Sequence, residues 1–315
     1  MDKRNRREYC EAAKTALQGA AYDPKKLILI HTGAIAAVNL VVSIAVYLLE
    51  QQLNSAVGLG GLGTRSVLMT AQSMLQLLPA LLMPFWSMGY LFATVSIAEN
   101  KRTGPGELGE GFFRFFPVLR LELLMALLYT LLAFAATQLG GTVYLWTPWA
   151  EPFMDAFMAF MAEPENAALE QALYAATEQA SLPMLLIIGG VFVALCVPFF
   201  YRFRMARLHL MANPGKGAFA AMRESAAMTR FKRMGLFKLD LQFWWFYALE
   251  VLAAAVCYGD VLLALVGVHI PLPETVRYFG FLILSLGCQL LLHWQCKNQV
   301  YVTYAKVYLD LRQEI

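Results

Sequence analysis

Runs of apolar residues too long for a globular strand recur along this chain, and they leave few folds open to it. A helix needs roughly 20 apolar residues to cross the hydrocarbon of a bilayer. Such runs lie at about Leu27 to Leu49, within Val67 to Ala98, from about Pro117 to Leu139, about Leu182 to Tyr201, about Leu236 to Leu262 and about Tyr278 to Tyr301. Short charged stretches separate them. Only 15% of the 315 residues are charged and 59% are hydrophobic, against about 25% charged in a soluble domain. In lipid every backbone N–H and C=O must be paired within the protein, so apolar runs of this length are helices. The fold class is all-α: a polytopic helical membrane protein with six transmembrane helices, forming one integral membrane domain over residues 1–315. Pro79, Pro84 and Pro198 fall inside spans, where kinked helices tolerate them. The second and sixth runs exceed one bilayer thickness and should tilt, kink or protrude. The first run is too long for a signal core and lacks a small-residue cleavage site, so it reads as a retained helix.

Lys and Arg set the orientation, because cytoplasmic connections are enriched in them. Residues 1–26 hold Lys3, Arg4, Arg6, Arg7, Lys14, Lys25 and Lys26. The connection from Arg202 to Lys238 holds nine bases and one acid, Glu224. Lys101, Arg102 and Arg114 join spans two and three. Residues 140–180 contain no Lys or Arg but carry Glu151, Asp155, Glu163, Glu165, Glu170 and Glu178. An even number of crossings then puts both termini in the cytoplasm and the acidic loop outside a cell membrane. The net charge of +3 conceals this asymmetry.

The connections have patterns of their own. In the outer loop, 140–180, Tyr144, Trp146 and Trp149 suit a membrane interface. Phe153, Phe157, Phe160 and Met161 recur at helical spacing, and Ala167 to Gln179 repeats the theme. Two short amphipathic helices on the outer surface are expected, as a cap over the bundle or as a docking surface. In the cytoplasmic segment 202–235, Asn213-Pro214-Gly215 marks a turn before a helix from Lys216 to Met234, with Phe219, Met222 and Ala226 on one side. Arg223, Arg230, Lys232 and Arg233 are available to lipid phosphates. Anionic headgroups, and with them a membrane-protein partner, are the partners implied. Nothing supports nucleic-acid binding.

Two cytoplasmic connections resemble each other. Phe113 to Leu123 can be laid on Phe231 to Leu241, and both lead into a span as base-Leu-acid-Leu. Glu11 to Leu17 followed by Lys26-Leu27-Ile28-Leu29 is a weaker third copy. The unit is a surface helix followed by a helical hairpin. Residues two apart on a helix do not face each other, so crossed pairs, Arg120 with Asp240 and Lys238 with Glu122, compete with separate snorkelling to the interface.

Glu250 stands out at membrane depth. A carboxyl group there is costly, so it should face the interior, have a partner or be protonated. His293 and Lys297 share a face of span six at i and i+4, and one of them is expected to approach Glu250. A proton- or ion-linked site competes with a structural polar clamp. His31, Asn39, Gln72, Gln76 and Asp260 are weaker candidates, and Gly189-Gly190 suggests close helix approach. The cysteines (Cys10, Cys196, Cys257, Cys288 and Cys296) form no CxxC and read as small packing residues. His31, His209, His269 and His293 have no metal spacing, and no catalytic or cofactor motif occurs. No metal, cofactor or catalytic residue is expected, and an enzyme is not favoured.

Asn213-Pro214, Ala221, Ser225, Met228, Phe237, Leu239-Asp240-Leu241, Phe243 and Trp244-Trp245 resemble the bacterial integral membrane family known as domain of unknown function 975. The opening Arg-Arg-Glu-Tyr-Cys-Glu-Ala-Ala-Lys-Thr-Ala-Leu resembles that family's first helix. Ala212 departs from the family's usual acid, and Thr229-Arg230-Phe231 from its Gly-containing segment. The resemblance implies a bacterial integral membrane protein and supplies no chemistry. The expected function is a non-enzymatic membrane scaffold or accessory protein that interacts with lipids or partner proteins. The alternative is a small transporter or permease subunit with a polar site around Glu250 and His293.

Overall fold

A computed structural model describes residues 3–55, 62–265, 267–268 and 270–313. The Lys3 and Arg4 side chains and His269 lie outside what is described. Among the described residues there is no strand, and six helices are long and apolar enough to cross a membrane. In chain order the helices are α1 (Lys3–Gln18), α2 (Pro24–Ser55), α3 (Leu62–Ala98), α4 (Glu110–Phe113), α5 (Phe115–Leu145), α6 (Glu151–Ala162) and α7 (Ala167–Phe203). They continue with α8 (Ala206–Ala212), α9 (Ala218–Thr229), α10 (Arg233–Gln242), α11 (Trp244–Ala255), α12 (Gly259–Leu265), α13 (Glu274–Leu292) and α14 (Asn298–Gln313). A π-helical turn, His293–Lys297, joins α13 to α14.

The chain divides into two compact units, residues 1–121 with 205–315, and residues 122–204. In the first unit, α2, α3, α11 and α13 form the apolar bundle, and a layer of shorter helices closes its basic end. There α1 packs on α14, α4 on α3 and α9 on α8, while the ends of α3, α8 and α14 pack on one another. Ala13, Ala16, Leu108, Met211, Ala221, Val302 and Val307 are buried in it. The last carbonyls of a helix have no partner within the helix and attract cations. Lys306 Nζ donates to the Ala98 carbonyl at the end of α3, at 2.6 Å. Arg114 donates to the Met211 carbonyl at the end of α8. Tyr9 donates to Asp310, fastening α1 to α14.

The second unit is an α5–α6–α7 assembly. Tyr144, Ala150 and Ala180 form its small core with Phe153 and Ile187 against them, and the Tyr144 hydroxyl donates to the Trp149 carbonyl at 2.8 Å.

Three expectations about elements change. Ala167 to Gln179 is not a separate surface helix: α7 runs unbroken through it to Phe203. Ser181 back-bonds to the Glu178 carbonyl at 2.7 Å, and Pro183 is absorbed without a break. The fifth span starts at Trp244 and not near Leu236. Phe243 leaves the helical region at φ −103°, ψ 14°, so Leu236 to Gln242 belongs to α10 in the basic layer. The helix expected from Lys216 to Met234 ends at Thr229, and a turn at 230–232 separates it from α10; the buried face of α9 is Ala218, Ala221, Ser225 and Met228, with Phe219 exposed. Small side chains let α9 approach α8 closely, and Ser225 Oγ accepts from the Met205 N–H at 3.2 Å.

Candidate functional site

Several buried polar groups of the first unit, among them His31, Thr32, His293, Lys297 and Asn298, converge where the π-helical turn meets α2, α3 and α11. A π turn adds a residue to a helical turn and often marks a functional site. Here it presents His293 and Lys297, both buried. His293 Nε2 lies 3.2 Å from Glu250 Oε1 on α11. His293 Nδ1 lies 3.2 Å from Thr32 Oγ1 on α2 and 3.5 Å from Lys297 Nζ. An ammonium group has donors only. With Lys297 as an ammonium and His293 neutral, Nδ1 is the acceptor and Nε2 carries the hydrogen that points at Glu250. Lys297 Nζ also sits over the rings of Tyr90 and Tyr301, 5.8 and 5.6 Å from their centroids.

Further contacts hold these three side chains in place. Tyr90 donates to Asn298 Oδ1 at 2.9 Å, and Asn298 Nδ2 donates to the Pro24 carbonyl at 2.7 Å. His31 stacks on Tyr90 with centroids 4.5 Å apart, and Trp86 Nε1 donates to the His31 carbonyl at 3.1 Å. The His31 Nδ1 atom is buried without a hydrogen-bond partner. Glu250 keeps an open side, its side chain 41% exposed.

Sequence reasoning places Glu250, His293 and Lys297 together and ranks His31 below them. It does not single out Thr32, Tyr90, Asn298 or Tyr301. Tyr90 is a polar group on a largely apolar stretch, whereas Asn298 lies among other polar residues, Gln295, Lys297 and Gln299, and carries no signal of its own. Of the weaker candidates, Asp260 lies 3.3 Å from Arg277, and Gln72 donates to Glu50 at 2.8 Å. Gly189 and Gly190 have open space where a Cβ would stand.

The charges leading into the spans lie elsewhere. Asp240 accepts from Tyr304 and from Tyr247, while Arg120 and Lys238 are exposed. Arg223 and Arg230 are on and just beyond α9, and Arg230 is exposed over the Phe231 ring at 5.3 Å. Lys232 and Arg233 are half-buried, with Arg233 Nε buried and lacking a hydrogen-bond partner.

Around this site and outside the basic layer, the protein is built of helices long and apolar enough to cross a membrane. It is a multi-pass helical membrane protein. It belongs to the family described as protein of unknown function (DUF975), whose model matches residues 1–309. No curated protein and no solved structure matches the chain.

Proposed function

We propose that this protein is a non-enzymatic scaffold of a bacterial cell membrane, with both termini in the cytoplasm, that gathers anionic lipid headgroups and presents them, or itself, to a partner membrane protein. The observation that carries this reading is the repeated base-and-aromatic step that follows each surface helix, leading into α5 in one copy and into α10 in the other. Phe113 and Phe231, at equivalent positions of the repeat, are 83% and 86% exposed. Phe116 and Met234 are 69% and 65% exposed. Val118, Leu236, Leu121 and Leu239 are all fully buried. Arg120 and Lys238 are both exposed. One face of each step packs, and the other offers a large apolar side chain beside cations. That combination suits the boundary between acyl chains and anionic headgroups.

The test is lipid retention, read by native mass spectrometry of protein purified with equal phosphatidylglycerol and phosphatidylethanolamine. The wild type retains the anionic lipid preferentially. Replacing Arg230, Lys232 and Arg233 by Gln lowers that preference about tenfold or more, since each base near an anionic surface contributes about 1 kcal/mol. A wild type indifferent to headgroup charge would refute the reading.

The second reading is a small transporter or permease subunit. The Glu250–His293–Lys297 chain favours it, because ionisable groups at membrane depth mark ion and proton pathways. Flux in proteoliposomes that disappears in Glu250→Gln supports it.

A further inference from the structure

We infer that Lys297, His293 and Glu250 form a proton relay in which the imidazole passes a proton between a buried amine and a carboxylate open to the surroundings. The inference rests on the second reading above and deepens it.

The donor and acceptor pattern has a direction. As an ammonium, Lys297 Nζ donates to His293 Nδ1, 3.5 Å away, and His293 Nε2 faces Glu250 Oε1 at 3.2 Å. In the forward step an N–H bond of the Lys297 ammonium breaks and Nδ1–H forms. The Nε2–H bond breaks and Oε1–H forms. The ammonium–carboxylate pair becomes an amine and a carboxylic acid, and the imidazole ends neutral in its other tautomer. Protons and charge balance, and no outside reagent is needed. Net charge is zero in both states, so the transfer is not opposed by the cost of burying a new charge.

The surroundings favour two states over one. Lys297 is 8% exposed, and among the described residues no ion pair joins its Nζ to a carboxylate. Its described contacts are His293 Nδ1 and the faces of Tyr90 and Tyr301. Thr32 Oγ1 sits at the same Nδ1 and can accept its hydrogen after the transfer, because a hydroxyl serves either role. The other titratable or charged groups close by are His31 and Lys25 from α2, Tyr90 from α3 and Tyr301 from α14. Lys25 faces Trp294, and His31 is stacked on Tyr90. Glu250 is the port: its side chain is 41% exposed, whereas Lys297 closes the inner end.

The experiment reads the His293 tautomer by 15N NMR of the full-length protein, histidine-labelled and reconstituted in phosphatidylglycerol–phosphatidylethanolamine bilayers, with His293→Gln assigning the signal. The relay predicts both Nε2–H and Nδ1–H forms in the wild type, in a ratio that changes with temperature. In Lys297→Met the Nδ1–H form is lost. A single Nε2–H form in the wild type at every temperature overturns the relay without reference to any variant, as does an Nδ1–H population that persists in Lys297→Met. Proton flux, measured on the same proteoliposomes with an internal pH dye, separates this result from the parent reading. Two exchanging tautomers without flux leave the relay standing and remove transport. Flux with one fixed tautomer removes the relay and keeps transport.

Discussion

Glu107, in the 3-10 turn Pro105–Gly109 that precedes α4, is held above the ordinary range of a carboxyl group, at about 7. Burial is the main cause and the neighbouring Glu110 carboxylate adds to it, against a weaker hydrogen bond to Ser96. Its Oε2 atom is buried without a partner. Between the ordinary value of 4.5 and about 7 the folded chain holds this proton and the unfolded chain does not. Stability therefore falls as pH rises through that window. Glu107→Gln removes that fall, so its melting temperature in detergent should change less than that of the wild type across the same window. An unchanged slope would show that Glu107 is not the group responsible. Glu224 has the opposite sign: its hydrogen bond to Lys216 holds its carboxyl below the usual range, so its contribution is present above that range and is lost as pH falls through it. No charge count of the sequence distinguishes these two acids. The difference comes from what folds over them.

At the scale of elements, the tightest junction is that of α3 with the turn and short helix that follow it. A Cβ on Gly89 would overlap the Leu108 carbonyl, and one on Gly111 would overlap the Phe85 carbonyl. Each backbone uses the other's missing side chain. Gly89→Ala and Gly111→Ala should each destabilise the protein by about 1–3 kcal/mol through overpacking. Denaturant titration in mild detergent, followed by tryptophan fluorescence, measures it. Wild-type stability in both variants would mean that the junction opens freely. Such reciprocal contacts pair residues from separate stretches, and neither glycine signals its partner in the sequence. Span positions, by contrast, are legible because lipid acts on every residue of a run at once. The boundaries are less so. Ala167 to Gln179 looks like a separate surface helix because Leu169 and Leu173 recur at helical spacing among polar residues, yet nothing in it stops a helix, and α7 continues through it. On α9 the sequence shows an apolar side with Phe219 and Met222 but not which face packs, and the close approach to α8 uses the alanines and Ser225. At the candidate site, Glu250, His293 and Lys297 are readable because charge in an apolar run is rare. Thr32 and Asn298 are not, because their roles depend on which helices meet.

For the whole molecule, the repeat gives the arrangement its logic. The surface helices α4 and α9 pack on α3 and α8, the helices that lie before them in the chain. The third surface helix, α1, packs instead on α14, from the other end of the described residues. Each surface helix is thus covered by a partner, and the third contact ties the two ends of the layer together. The layer is reinforced across copies by Lys306 on the Ala98 carbonyl and Arg114 on the Met211 carbonyl. Ala13 is fully buried in α1. Ala13→Leu should lift α1 and expose the N-terminal segment to limited proteolysis, while Ala12→Leu, at an exposed neighbouring position, should not. Equal cleavage of the two variants would refute the closure. A repeat of this kind is only faintly visible in the sequence, because most positions in a span can exchange one apolar residue for another.

The closure of α1 on α14 also sets an order of events during synthesis. A helix made early is completed by one made late. At about 5–20 residues per second, α1 waits on the order of tens of seconds, its buried alanines uncovered, until its partner has been made. A chain interrupted before α14 thus carries an α1 that lacks the helix it packs on most extensively.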